Sequence, residues 1–117
     1  GEVVQVDGVQ VTIAETQTED RAELGQIADT FREGKRQSVL VLFGTAGRGA
    51  IHVTLSDDLV SAGRKAGDLV NRIAAISGGR GGGRPHFASA GAGDPARLPE
   101  ARAKTPAVVA AWLGNGG

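Results

Sequence analysis

Gly78-Gly79-Arg80-Gly81-Gly82-Gly83-Arg84-Pro85 is the stretch on which the reading of this chain turns. Five glycines in the six positions 78–83 remove most steric restriction from the backbone, so φ can turn positive and another molecule can come close. Arg80 and Arg84 are set into the run, each a rigid fork of donors suited to phosphate or carboxylate. A flexible linker is the plain alternative, but linkers are usually Ser-rich and join domains, whereas this run lies inside one. The local composition favours an anion-binding loop.

Working outward, Ala66, Leu69, Val70, Ile73, Ala74 and Ser77 form one stripe and predict a helix leading straight into the run. The run therefore follows a helix C-terminus, where the dipole disfavours anions, and Arg80, Arg84 and loop amides must supply any attraction. The Walker pattern, a Gly-Lys-Ser/Thr opening a helix, is absent. Downstream, Pro85 to Ala90 predicts a short strand released by Gly91-Ala92-Gly93, and Asp94-Pro95 opens a helical region. Thr105-Pro106 predicts a cap and a helix restart, with Val109, Trp112 and Leu113 docking on the core and residues 114–117 fraying.

The first half reads more plainly. Val3-Val4-Gln5-Val6 and Val9-Gln10-Val11-Thr12-Ile13 flank Asp7-Gly8, the composition of a type I′ hairpin. Thr18 is the expected cap of a helix whose stripe is Leu24, Ile27, Ala28 and Phe31 and whose end is Gly34. That helix has an acidic outer face, an unsuitable contact for a polyanion. Ser38 to Phe43 is continuously apolar, as a central strand covered on both faces should be. After the turn Gly44–Gly49, Ile51, Val53 and Leu55 alternate with His52 and Thr54 in a second strand, where His52 reads as half-exposed. Ser56-Asp57-Asp58 starts a turn or short helix.

Composition narrows the function. At 117 residues, 40% hydrophobic and 22% charged, the chain is one ordinary globular domain, 1–117. Without cysteine, and with His52 and His86 as its only histidines, it has no thiolate site and a poor ligand set for zinc, so no metal or cofactor is expected. Three Phe, one Trp and no Tyr leave few platforms for stacking bases. No Ser/His/Asp set or paired carboxylates emerge, so no catalytic residue is expected and the chain is not expected to be an enzyme by itself. No apolar run reaches a membrane span and nothing resembles a signal peptide, so a cytoplasmic protein is expected. Net charge is zero but segregated: residues 1–34 carry eight acids against two bases, net −6, and residues 35–117 carry eleven bases against five acids, net +6. Arg64, Lys65, Arg72, Arg80 and Arg84 against Asp68 make 64–84 the densest basic part, a candidate polyanion surface or else a solvated helix face.

The element order, with Ala66-Gly67-Asp68-Leu69-Val70 feeding Ile76-Ser77-Gly78 through Pro85 and then Ala88-Ser89-Ala90-Gly91, resembles the C-terminal globular domain of alanyl-tRNA synthetases. That domain belongs to the wider group of small domains that follow DHH phosphoesterase catalytic domains. The resemblance covers essentially the whole chain. It implies an α/β fold, with a mixed sheet of about five strands flanked by helices. It also implies a tRNA-binding module, non-catalytic in itself, that contacts the outer corner of tRNA, with tRNA-Ala and the other synthetase domains as partners. The remaining domains would supply the alanine–tRNA ligase chemistry, and the isolated domain is expected to be a monomer. Gly78, Gly79, Arg80, Gly81, Gly82, Gly83 and Arg84 match the family motif and inherit an RNA-facing role, whereas Arg64, Lys65 and Arg72 are added on charge alone. His86 and Phe87 stand where an acid and a methionine are frequent: His86 could donate to phosphate, or Phe87 could simply be core. The related phosphoesterases, which act on short oligonucleotides or cyclic dinucleotides, place histidine where this chain has Arg84. That difference favours the synthetase side over a phosphoesterase substrate domain.

Overall fold

The computed structural model describes residues 1–115. In chain order the elements are β1 Glu2–Val6, β2 Val9–Thr16, α1 Arg21–Arg32, β3 Ser38–Gly44, β4 Ala50–Leu55 and α2 Asp57–Ser61. They continue with α3 Ala66–Ala74, β5 Gly81–Arg84, β6 Phe87–Gly91, a 3-10 turn Pro95–Arg97 and α4 Leu98–Asn115. The strands form one mixed sheet of order β1-β2-β3-β4-β6-β5, six strands where about five were expected. Only β2 and β3 run parallel, because α1 carries the chain back across the sheet between them.

The hairpin is local chemistry. Asp7 (φ 49°) and Gly8 (φ 83°) both take positive φ, as a type I′ turn requires, and Val6 faces Val9 across it. The α1 cap differs from the expected one: Asp20, not Thr18, is the N-cap, accepting from Ala22 N at 2.8 Å and Glu23 N at 3.4 Å. Thr18 sits one step too early, and its hydroxyl accepts only from Asp20 N, outside the helix. Gly34 ends α1 at φ 65° as expected.

Strand alternation builds two unequal layers. Val9, Val11, Ile13, Val39, Val41, Phe43, Ile51, Val53 and Leu55 face α3 and α4, where Leu69, Val70, Ile73, Val109 and Trp112 close the main core. On the other face Leu40 and Leu42 meet Leu24, with Ala14, Phe31 and Phe87 at the margin. β3 is buried along its whole length, as a strand between two helical layers must be. The α1 stripe buries Leu24 and Ala28, while Ile27 is 36% exposed because a single helix does not cover this face.

The expected restart at Thr105-Pro106 does not occur; α4 runs unbroken through Pro106. Thr105 is buried and its hydroxyl donates to the Ala101 carbonyl at 2.8 Å. Ala101, Thr105, Val109 and Trp112 form the docked stripe, and their burial outweighs the one ladder hydrogen bond that proline cannot donate. The helix continues through Gly114 and Asn115, which were expected to fray, while positions 116 and 117 of that expected tail lie outside the described residues.

Replacing Asp20 with alanine should lower unfolding free energy by roughly 0.5–2 kcal/mol, and Thr18→Ala by clearly less. Chemical denaturation of both variants checks this; a larger loss at Thr18 would return the cap to that residue.

Candidate nucleic-acid interface

The glycine run is not a loop. Gly78 (φ 85°) turns the chain off the end of α3, and Gly81–Arg84 then form the edge strand β5, paired with β6 from Gly81↔Ala90 to Arg84↔Phe87. A side chain added at Gly79, Gly81 or Gly83 would run into the carbonyl oxygens of Gly91, Ser89 and Phe87 respectively. These three glycines are therefore demanded by the approach of one backbone to another. Gly82 is different: a Cβ there would meet nothing within 4 Å, so its missing side chain leaves open space that the fold does not use.

Asn71, on α3, finishes the strand from its other side. Its Nδ2 donates to the Gly81 carbonyl at 2.9 Å, and its Oδ1 accepts from Gly81 N at 2.9 Å. The same Nδ2 reaches the Gly67 carbonyl at 2.9 Å. A side-chain carboxamide thus takes the place of a neighbouring strand, which is why a segment without side chains or strand propensity is nonetheless ordered.

Beside β5, on the α1 face of the sheet, lies a groove of about 1090 Å³. Gly82, Gly83, Arg84, His86, Phe87 and Ser89 line one side, and α1 with its approach lines the other through Glu19, Arg21 and Asp29. Arg48, in the turn before β4, adds a further cation at the margin. The acidic helix expected to stay clear of a polyanion therefore forms one wall of the concavity next to the basic strand.

The floor contains a residue that sequence reading placed wrongly. His52 is 6% exposed, not half-exposed, because its row on the sheet continues Ala14, Leu42, His52, Ser89 and Gly82 across the strands. Its Nδ1 lies 2.7 Å from Ser89 Oγ, and its ring stacks near Phe87 with centroids 6.4 Å apart at 25°. Burial holds the His52 pKa below its ordinary value. His86, half-buried in the turn between β5 and β6, is also lowered, by desolvation first and then by the charges of Arg32 and Arg84. Neither His52 with Ser89 nor Asn71 carried a sequence signal beyond residue type, since their partners lie 37 and 10 residues away.

The expected RNA-facing residues divide into three groups. Gly82, Gly83, Arg84 and His86 share the groove. Gly78, Gly79, Arg80 and Gly81 lead into it along the same edge, while Lys65, at the N-cap of α3, and Arg72, on α3, lie exposed beyond the groove lining. Arg64 faces elsewhere: its guanidinium donates to the carbonyls of Trp112 (3.3 Å) and Leu113 (3.2 Å) and lies 5.0 Å from the Trp112 ring centroid. A cation on the last carbonyls of a helix stabilises the dipole there, so this arginine is engaged in tying α4 down. Among the described residues no group of three or more His, Asp or Glu side chains is placed to hold a metal ion, and no helix is long and apolar enough to cross a membrane.

Two measurements test this geometry. Arg64→Ala should cost about 1–2 kcal/mol of stability from lost capping and stacking, read by denaturant unfolding; an unchanged midpoint would remove its structural role. Because the folded state keeps His52 neutral, the unfolded chain takes up a proton first as pH falls through about 6.5. Stability should therefore decline below that pH, by at most about 1.4 kcal/mol per unit for this group, and His52→Asn should flatten the decline. Equal slopes for wild type and variant would contradict the assignment.

Residues 8–111 match the family model described as the DHHA1 domain. The alanine–tRNA ligase of Lactobacillus gasseri is 40% identical over 104 residues, which is 88% of this chain and 12% of that protein. The alanine–tRNA ligase of Aromatoleum aromaticum is 40% identical over 113 residues, 96% of this chain and 13% of that protein. The chain thus spans about an eighth of the length of these relatives. In fold it is similar to the C-Ala domain from Aquifex aeolicus alanyl-tRNA synthetase, with a TM-score of 0.79 at 20% identity over 94% of this chain and 99% of that one. The α/β architecture, the glycine strand inside it and a family match over nearly the whole chain agree: the chain belongs to the DHHA1 domain family.

Proposed function

We propose that this chain is the tRNA-binding module of an alanyl-tRNA synthetase and has no catalytic role of its own. It contacts the outer corner of tRNA-Ala and helps the aminoacylation and editing domains act on the same molecule in the cytoplasm. The isolated chain acts as a monomer and takes no cofactor.

The observation that carries this reading is how the cations are distributed. Arg32, Arg97, Arg102 and Lys104 are in ion pairs, and Arg64 is spent on α4. Arg80 and Arg84, at the two ends of the glycine strand, are exposed and make no ion pair among the described residues. Two unpaired guanidiniums flanking a strand without side chains suit a phosphate backbone that must come close to protein backbone. Lys65, at the N-cap of α3, and Arg72, on α3, add salt-dependent attraction. Few aromatic rings are available to stack on bases, so shape and backbone dominate recognition over sequence. The alanine–tRNA ligase relatives, and Arg84 where the phosphoesterases have histidine, support the synthetase reading.

Filter binding of a tRNA-Ala transcript at two salt concentrations provides the test. Arg84→Ala should weaken binding by roughly 10- to 100-fold, the worth of a hydrogen bond to a charged group, and lower the salt slope by about 0.7–0.9. Unchanged affinity and slope would remove Arg84 from the interface.

A further inference from the structure

Within β5 the outward-facing backbone groups belong to Gly81 and Gly83, and only those of Gly81 have partners among the described residues. Gly91 N–H donates to the Arg80 carbonyl at 3.3 Å, which sets the alternation of the β5–β6 ladder. In an antiparallel pair that alternation points the N–H and C=O of Gly81 and Gly83 away from β6. At Gly81 both are taken by the Asn71 carboxamide, at 2.9 Å each. Upstream, Gly79 N–H donates to the Ala74 carbonyl at 2.9 Å, and downstream Pro85 has no N–H and its carbonyl accepts from Ala66 N at 2.8 Å. Gly83 remains, exposed and in the groove, with a donor and an acceptor side by side and no partner among the described residues.

Asn71 shows what such a glycine binds. Gly81 and Gly83 occupy equivalent register positions, and Gly81 takes a planar group that offers N–H and C=O on one edge. Uracil and guanine carry that arrangement in a ring N–H beside an exocyclic carbonyl, their lactam edge. A peptide strand adding to the sheet needs several consecutive free positions, and this edge has one. Arg80 and Arg84 on either side suit phosphates flanking such a base.

We propose that the free edge of β5 at Gly83 binds the lactam edge of one unpaired uracil or guanine in the bound RNA, completing the sheet at Gly83 as Asn71 does at Gly81. This rests on the reading of β5 as the RNA interface.

The test combines amide NMR of the ¹⁵N-labelled chain, titrated with a tRNA-Ala transcript, and carbodiimide probing of uracil N3 and guanine N1 in the same complex. The Gly83 amide signal should move and its solvent exchange slow about tenfold, the size of one net hydrogen bond, while Gly81, already bonded to Asn71, stays put. At least one unpaired uracil or guanine should become protected at its ring nitrogen. An unmoved Gly83 alongside a shifted Arg84 Nε signal overturns the edge proposal and leaves the RNA reading standing. No response at either residue takes the RNA reading down with it. A Gly83 response without ring-nitrogen protection assigns the edge to an adenine or cytosine, phosphate, ribose or a peptide and also overturns the proposal. In Asn71→Ala the vacated Gly81 amide should become a second responding signal; a folded variant in which Gly81 stays silent counts against the analogy between the two sites.

Discussion

The contact of β5 with β6 is the constraint on which the candidate interface depends. Backbone lies against backbone there, and Gly79, Gly81 and Gly83 face the carbonyl oxygens of Gly91, Ser89 and Phe87 without room for a methyl group. Glycine is normally a poor strand residue, because it loses the most entropy and packs nothing. Here the missing atoms let the edge strand approach the sheet, and the Asn71 carboxamide completes its hydrogen bonding. Rigidity that side chains would normally provide comes instead from two flanking partners, one a strand and one a single helical residue. Arg80 and Arg84 are thereby fixed at the ends of a strand instead of waving on a loop.

The sheet makes this useful because its two faces are covered unequally. α3 and α4 seal one face with the large core that includes Ile73, Val109 and Trp112. α1 alone covers the other, burying Leu24 and Ala28, and leaves β4 and β6 to floor a groove beside β5. His52 and Ser89 occupy that floor as a hydrogen-bonded pair beside Leu42, and among the described residues no buried side-chain nitrogen or oxygen lacks a partner. Burial keeps the imidazole neutral, and the floor carries no charge of its own at neutral pH.

What the sequence disclosed and what it hid follow one division. The Asp7-Gly8 hairpin, the apolar β3 and the α3 stripe are set by neighbours in sequence, and each was legible from a turn pair or a periodicity. The identity of β5 as a strand was not, since its order derives from Asn71 and from β6, and glycines give no alternation to read. The same holds for His52, whose burial is decided by strands joined far along the chain, and for Arg64, whose charge suggested a ligand until α4 folded over it. Pro106 misled for the opposite reason: a strong local stop signal lost to the tertiary docking of Ala101, Thr105, Val109 and Trp112. Charge and glycine content pointed to the candidate surface, while its geometry is long-range.

Charge placement then fixes how a polyanion can lie on this surface. The groove wall contributed by α1 and its approach carries Glu19 and Asp29, with Arg21 between them, whereas the opposite rim carries Arg84 with Arg80 beyond it. Phosphates placed in the groove itself would face the carboxylates of Glu19 and Asp29 together with the guanidiniums of Arg21 and Arg48, an environment of mixed sign. Phosphates running along the β5 edge would lie between Arg80 and Arg84 on a strand that carries no side chains of its own between them. On the RNA reading the backbone therefore follows the glycine strand, and the uncharged parts of the nucleotide turn inward toward Gly82, Gly83 and the neutral His52–Ser89 floor. An acidic wall facing a basic edge in this way orients the ligand without adding net attraction. On the same reading, a chain with zero net charge binds a polyanion in one direction and repels it elsewhere.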